Sequence, residues 1–147
     1  MILNRMNIES IEKEIIEEFE LFGEDWESRY EFLIDLGKTL PLVSQSEKSD
    51  DLLIKGCQSK LWLKSYFDGK LVSYTADSDA IITKGIAALM IRLLNNQTPT
   101  EILNAKLDFI NQIGLKEHLS PTRANGLLSL IKQMKLDALA YSSQNLI

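Results

Sequence analysis

The chain has 147 residues, a length typical of one domain, so we expect a single domain over residues 1–147 and exclude a multi-domain enzyme. Apolar residues make up 45% and charged residues 25% of the sequence, which excludes the composition of a disordered chain. The net charge of −5 argues against nucleic acid as a partner, and the single cysteine excludes an internal disulfide, a CxxC redox pair and any all-thiolate metal or iron–sulfur site.

Two amphipathic helices are predicted in the first third of the chain. Apolar residues recur every three or four positions after Asn7, a candidate N-cap, and this pattern ends near Gly23. Asp25 is the candidate cap of a second helix that ends at Gly37, before a Leu-Pro step. Residues 44–51 are polar throughout and predict a loop.

A β-hairpin is predicted in the middle of the chain. Residues 61–67 and 70–75 are rich in β-branched and aromatic residues, and Asp68-Gly69 lies between them. An Asp-Gly pair supplies the positive φ angles of a type I′ turn, so we expect two antiparallel strands joined by that turn.

Helices are predicted again after the hairpin. Asp77 and Asp79 are candidate caps of a long apolar helix, and Gly85 within it indicates close packing against another backbone. Capping signals at Thr98 and Ser120, each followed by proline, open a short helix and the last long helix. The order predicts an α+β fold in which helices pack on one face of a small antiparallel sheet.

The lone cysteine, Cys57, lies in a short glycine-containing polar segment between an apolar stretch and the first strand. A buried structural cysteine is more typical of an apolar periodic run, although an inert buried thiol stays an alternative. Lys55 and Lys60 favour the thiolate, and Gly56 leaves room for a partner's sulfur to approach. The local sequence therefore suggests a reactive thiol.

Arg123 and His118 are further candidates near the start of the last helix. Arg123 falls in the first helical turn, where it and the free backbone N–H groups form a candidate anion site; the alternative is a solvated or ion-paired arginine. His118 is a candidate base for Cys57 in a thiol-dependent hydrolase or transferase, or a residue with a local hydrogen bond. One Cys and one His cannot complete the usual zinc set, and no glycine-rich phosphate loop occurs, so we expect no resident metal or cofactor.

Several motifs, taken in order, resemble one known family. They are Asp25-Trp26, Gly56-Cys57-Gln58-Ser59 with Leu61-Trp62, Ala76-Asp77-Ser78-Asp79-Ala80 with Gly85, the segment from Thr98-Pro99 to Leu103, and His118-Leu119-Ser120-Pro121-Thr122-Arg123-Ala124-Asn125-Gly126-Leu127. Together these motifs resemble the SufE family of sulfur acceptors, which work with cysteine desulfurases in iron–sulfur cluster assembly. The resemblance extends from about Asp25 to Ile131. Thr122 stands where serine is more usual and Lys60 where glutamine is common.

The resemblance implies a fold like that of the IscU scaffold proteins and a role as carrier and desulfurase activator, without enzymatic turnover of its own. Cys57 would accept sulfur as a persulfide from a SufS-like desulfurase, which holds the pyridoxal phosphate, and the sulfur would pass to a SufBCD-like scaffold complex. The supporting residues that it suggests are Gln58, Ser59, Asp77, His118 and Arg123. Whether the chain forms a homodimer is left open.

The absence of a second cysteine also favours a carrier. Without a resolving thiol, sulfur on Cys57 cannot be released by internal disulfide formation, so another molecule must collect it. We expect Cys57 to rest in a sheltered pocket with Leu53, Ile54 and Trp62 as candidate walls. The N-terminus lacks a long apolar signal region and no apolar run reaches membrane-spanning length, so we expect a cytoplasmic protein without a membrane partner.

Charge is distributed unevenly along the chain. Residues 1–51 carry 14 acids and 5 bases, a net charge of −9, whereas residues 52–147 carry 7 acids and 11 bases, a net charge of +4. One interpretation is that the first helices have acidic, solvated outer faces. The other is that the second half holds an anionic species and contacts a partner.

Overall fold

The computed structural model describes residues 6–56 and 59–144, and within them helices pack against one face of a two-stranded hairpin. The antiparallel strands are β1 (Leu61–Phe67) and β2 (Val72–Ser78). The helices are α1 (Ile8–Glu20), α2 (Trp26–Gly37), α3 (Ile81–Leu94), α4 (Pro99–Asn104), α5 (Phe109–Gln112), α6 (Leu115–His118) and α7 (Pro121–Gln144). This architecture confirms the predicted α+β fold.

Three predicted helix starts are confirmed by their capping hydrogen bonds. The Asn7 side chain accepts a hydrogen bond from the N–H of Ser10 at 2.8 Å, and Asp25 accepts one from Ser28 at 3.2 Å. At α4 the capping box is complete, because Thr98 and Glu101 each accept a hydrogen bond from the other's backbone N–H. Such caps satisfy N–H groups that have no partner within the helix, which is why local sequence locates them.

The hairpin loop differs from the predicted type I′ turn. β2 begins at Val72 and not at residue 70, so the loop has four residues. Asp68 Oδ1 accepts hydrogen bonds from the N–H groups of Lys70 at 2.8 Å and Leu71 at 2.7 Å. Gly69 alone in this loop has a positive φ, 97°. In a two-residue turn, residues 70 and 71 would belong to the second strand. Here their N–H groups donate to the Asp68 side chain instead.

The core lies between the inner face of the hairpin and the helices. Alternate strand residues point inward and are buried: Leu61, Leu63, Val72, Tyr74 and Ala76. Most of α3 is buried as well, including Leu89, Met90, Leu93 and Leu94, which are fully inaccessible. Because α3 is covered on nearly every side, it is the central helix of the fold.

Close packing at Gly85, predicted from the sequence, is confirmed at the crossing of α2 and α3. A Cβ built on Gly85 would lie 2.2 Å from the carbonyl oxygen of Leu33, which is inside the van der Waals distance. On the other helix, a Cβ on Gly37 would lie 3.0 Å from the Gly85 nitrogen. Paired glycines therefore allow the two backbones to touch.

The predicted capping of α3 by Asp77 and Asp79 is wrong. The N-cap of α3 is Ala80, which provides no side-chain hydrogen bond, and Asp77 belongs to β2, where it pairs with Trp62. Asp79 instead accepts a hydrogen bond from the N–H of Lys60 at 3.1 Å. β2 therefore continues through Asp77, because pairing with β1 satisfies the hydrogen bonds of its backbone.

The last helix begins as predicted. Ser120 Oγ accepts a hydrogen bond from the N–H of Arg123 at 3.3 Å, and Leu127, Met134 and Ala138 are buried against the core. None of the helices in the described parts of the chain combines the length and the apolar character needed to cross a membrane.

Candidate functional site

The segment that leads to the cysteine is fixed to the outer edge of the hairpin. Leu53 forms an antiparallel bridge with Trp62, and the N–H of Ile54 donates to the carbonyl oxygen of Leu61 at 2.8 Å. We call residues 55–60 the cysteine loop; its described residues, 55–56 and 59–60, lie directly beside this attachment. Cys57 and Gln58 lie outside the described residues, so their proposed roles stay predictions.

The end of this loop is fixed as firmly as its beginning. The N–H of Lys60 donates to Asp79 Oδ1, and the carbonyl oxygen of Lys60 accepts from Ser78 Oγ at 2.7 Å and from the N–H of Asp79 at 3.3 Å. Ser59, one of the predicted supporting residues, is half-buried beside this junction. Both ends of the cysteine loop are thus attached to the hairpin, by backbone hydrogen bonds and by the side chains of Ser78 and Asp79.

Gly56, directly before Cys57, is shaped for close contact with α7. Its φ is +85°, a conformation that residues with a side chain rarely adopt, and a Cβ there would lie 2.9 Å from Ser129 Oγ. The sequence predicts that this glycine leaves room for a partner's sulfur to approach. In the structure, a glycine is favoured at this position by its positive φ angle and by its contact with the last helix.

A cleft of about 630 Å³ lies between the start of the cysteine loop and α7. Its lining is mixed, with two acids, two lysines and apolar groups: Asp50, Asp51, Leu53, Ile54, Lys55, Gly56, Ser129, Lys132, Gln133 and Leu136. Two of the three predicted pocket walls, Leu53 and Ile54, therefore line this cleft. Trp62 does not, because strand alternation places Leu61 and Leu63 in the core and Trp62 on the opposite face of the hairpin.

The outer face of the hairpin carries a cluster of charges around Asp77. Lys48 Nζ lies 2.6 Å from Asp77 Oδ2, and Lys84 Nζ lies 3.4 Å from Asp77 Oδ1. Lys48 Nζ also lies 4.8 Å from the centre of the Trp62 ring, a cation–π distance. The Lys48 and Asp77 side chains are only 14% and 13% exposed, so the ion pair is largely shielded from water.

Two opposing effects set the protonation of Asp77. Burial by itself would raise the pKa of this carboxyl group. Hydrogen bonds from Lys48 and from the N–H of Ser78, together with the charges of both lysines, outweigh burial and lower the pKa below its ordinary value. Asp77 is therefore a carboxylate at neutral pH. Lys48 was missed by sequence reasoning because its partner lies 29 positions further along the chain.

His118 is held by contacts at the start of α2 and within its own turn. Its Nδ1 lies 2.9 Å from the carbonyl oxygen of Gly114, and its ring stacks on Trp26 with centroids 3.8 Å apart. Tyr30 donates a hydrogen bond to the His118 carbonyl oxygen. These contacts fit the local hydrogen-bonding role, and no carboxylate orients the ring among the described residues.

Arg123 is exposed in the first turn of α7, as predicted. Within residues 6–56 and 59–144 its guanidinium has no ion-pair partner. Arg123 precedes Ser129 by six residues, which is about 9 Å along a helix axis. The structure thus leaves this cation available to a ligand or a partner.

Within residues 6–56 and 59–144, no group of three or more His, Cys, Asp or Glu side chains could hold a metal ion.

Fold and site together define a class: a small α+β protein whose only cysteine lies in a loop anchored at both ends on a β-hairpin. Residues 13–138 match the SufE family, described as an Fe-S metabolism associated domain. Because the match spans most of the chain, the protein belongs to the SufE family.

Relatives are found in bacteria and plants. An uncharacterised SufE-like protein of Rhizobium meliloti is 36% identical over 130 residues, covering 85% of this chain and 92% of that protein. An uncharacterised SufE-like protein of Synechocystis is 38% identical over 127 residues, covering 86% and 79%. SufE-like protein 1 of Arabidopsis thaliana, named chloroplastic/mitochondrial, is 38% identical over 128 residues, covering 86% of this chain but 34% of that protein.

A solved structure shows the same fold. The solution structure of a hypothetical protein from Thermus thermophilus superposes with a TM-score of 0.75, at 19% sequence identity, over 90% of this chain and 96% of that chain. This similarity confirms the fold class independently of the sequence match.

Proposed function

We propose that the protein accepts sulfane sulfur on Cys57 from the persulfide of a cysteine desulfurase. The Cys57 thiolate attacks the terminal sulfur of the donor persulfide, and a new sulfur–sulfur bond forms on Cys57. The donor's own sulfur–sulfur bond breaks, and its cysteine leaves as a thiolate. Only the terminal sulfur and its proton move to Cys57, and one sulfur–sulfur bond replaces another, so no external oxidant or reductant is consumed.

The observation that carries this proposal is the SufE match over residues 13–138 in a chain whose only cysteine lies in the anchored loop. A family associated with Fe-S metabolism needs a source of sulfur, and a thiol is the group in this sequence able to carry it covalently. The mixed cleft beside Gly56 supports the proposal, because it leaves space at the base of the loop.

The recipient of the sulfur is a second protein. With no other cysteine in the sequence, Cys57 persulfide cannot be resolved by an internal disulfide. A scaffold complex for iron–sulfur assembly is the acceptor that this chemistry fits, and the protein acts as a carrier and activator without a cofactor of its own. A reducing compartment such as the cytoplasm suits the role, because a free thiol persists there.

The test is transfer of one sulfur from a purified desulfurase supplied with cysteine. Mass spectrometry of the wild-type protein should show a gain of about 32 Da, one sulfur atom, confined to the peptide that contains Cys57. Cys57→Ser should show no gain and should keep the wild-type circular dichroism spectrum and Tm.

A relocated thiol is the matched control. Ser143 is exposed near the end of α7, so Ser143→Cys in the Cys57→Ser background provides an accessible thiol far along the chain from the loop. This variant should gain little sulfur. Equal loading of the wild type and the relocated thiol would contradict the proposal, since any exposed cysteine would then serve.

A further inference from the structure

The polar segment 44–51 crosses the outer face of the hairpin, and we call it the strap. Before it, the carbonyl oxygen of Pro41 accepts a hydrogen bond from the N–H of Ala76 at 2.9 Å, on the edge of β2 that faces away from β1. After it, Leu53 forms its bridge with Trp62 on the opposite edge of the hairpin. The chain therefore passes from one edge of the hairpin to the other between these two anchors.

The strap contains no apolar side chain. Its residues are Ser44, Gln45, Ser46, Glu47, Lys48, Ser49, Asp50 and Asp51, and only Glu47 and Lys48 are partly buried. The buried apolar residues Val43 and Ile54 lie outside it, one near each end. The backbone hydrogen bonds of its 3₁₀ turns join residues within the segment 44–53. Release of the strap from the hairpin would therefore expose no apolar side chain of its own.

Two ion pairs attach the strap to the strands. Lys48 binds Asp77 of β2, and both of these side chains are largely buried. Glu47 binds Lys64 of β1, and these two side chains are 36% and 32% exposed. The Lys48 ammonium group also lies over the ring of Trp62, as described above. The strap is thus held to both strands by charged side chains, and we call the two ion pairs its latches.

We infer that the strap is a latched cover, which opens locally while the rest of the fold stays intact and uncovers the outer face of the hairpin around Trp62. Segments that bury few apolar groups open at a smaller free-energy cost than core elements do. The strands themselves bury Leu61 and Tyr74 in the core, whereas the strap is attached through Glu47 and Lys48. Access to the Trp62 ring from this side is therefore controlled by the latches. The inference goes beyond the proposed sulfur transfer and does not depend on it.

Trypsin measures this opening, because it cleaves after Lys48 and needs the strap to be accessible. At low protease concentration the cleavage rate follows the population of the open form. Asp77→Asn keeps the cleavage site and breaks its latch, so cleavage after Lys48 should accelerate about tenfold, as expected for the loss of one charge-assisted hydrogen bond. Lys64→Met breaks the more exposed latch and should accelerate it about two- to fivefold. Lys84→Met removes the other cation beside Asp77 without touching the strap, so this matched control should keep the wild-type rate.

Cleavage after Arg92, in the central helix α3, is the internal measure of global unfolding. Mass spectrometry of the same digest gives both rates. Local opening requires that cleavage after Lys48 accelerates in the latch variants while cleavage after Arg92 does not. Two results would overturn the inference: an unchanged rate after Lys48, or an equal acceleration at both sites, which would mean that the strap opens only when the whole molecule unfolds. If Asp77→Asn loses the wild-type circular dichroism spectrum, Lys64→Met decides between these outcomes.

Discussion

Arg123 is an exposed cation at a position where the helix macrodipole disfavours positive charge by about 0.3–1 kcal/mol. Its backbone N–H contributes to the Ser120 cap, but its side chain has no ion-pair partner among the described residues. A side chain that adds nothing to stability in this position is available for an anionic ligand or a partner. The sequence alone left open whether Arg123 forms an ion pair. In the structure its guanidinium forms none with the described residues.

Replacing Arg123 by alanine should therefore separate function from stability. We expect Arg123→Ala to change the free energy of unfolding by no more than about 0.5 kcal/mol, because the side chain is exposed. Sulfur transfer from the desulfurase to Cys57 should fall clearly. Arg123→Lys keeps the charge but not the forked geometry, so it should recover part of the transfer rate. If transfer stays at the wild-type level in Arg123→Ala, the residue has no part in the reaction.

The secondary structure elements divide into those that local sequence specifies and those that it does not. Caps at Asn7, Asp25 and Thr98 were predictable because each satisfies backbone groups within three residues. The four-residue helices α5 and α6 were not predicted, since so short a helix is stabilised by its packing and not by its own hydrogen bonds. The 3₁₀ turns Gln45–Glu47 and Asp50–Leu52, at the predicted loop 44–51, contain no buried residue, so no apolar pattern marks them in the sequence.

The α2–α3 crossing provides a test of backbone packing. Gly85→Ala places a methyl group 2.2 Å from the Leu33 carbonyl oxygen, so the helices must separate. We expect a loss of about 1–3 kcal/mol in the free energy of unfolding, despite the better helix propensity of alanine. Chemical denaturation measures this change.

Ile81→Ala is the control on the same helix, because Ile81 is 64% exposed and its loss removes little packing. A stability of Gly85→Ala equal to that of Ile81→Ala would show that the two helices do not need their close contact.

At the scale of the whole molecule, ion pairs attach the acidic N-terminal helix to the core. Glu14 and Glu18 of α1 bind Arg92 of α3, which attaches the acidic helix to the central one. Glu12 has no ion-pair partner among residues 6–56 and 59–144. Burial, followed by the charges of Asp108 and Glu9, raises the pKa of Glu12, although a hydrogen bond from the Phe109 backbone opposes this.

The two kinds of glutamate on α1 should respond oppositely to the same substitution. At pH 7 the Glu12 carboxylate is ionised in a fold that favours its protonated form, so Glu12→Gln should raise Tm. The gain should shrink as the pH falls through the raised pKa and vanish below the unfolded value of about 4.3, where both states are protonated.

Glu18→Gln removes an ion pair with Arg92 and should lower stability at pH 7 by about 0.2–1 kcal/mol. Thermal unfolding of both variants between pH 7 and about pH 3 measures these effects. A Tm gain of Glu12→Gln that is constant over this range would show that charge is not its cause.

The sequence by itself determined the helices with strong caps, the hairpin and the position of the only thiol, since these depend on residues near in the chain or on composition. Gly85 indicated close packing, but the tertiary structure decided that its partner is Leu33 of α2. Its motifs also led to the correct family. Only the tertiary structure decided that Asp77 lies in a strand and binds Lys48 and Lys84, and that the cysteine loop is anchored through Lys60 to Asp79. The physical reason is register: a residue's partners across a sheet depend on which strand positions pair, and a change of one position would turn every side chain to the other face.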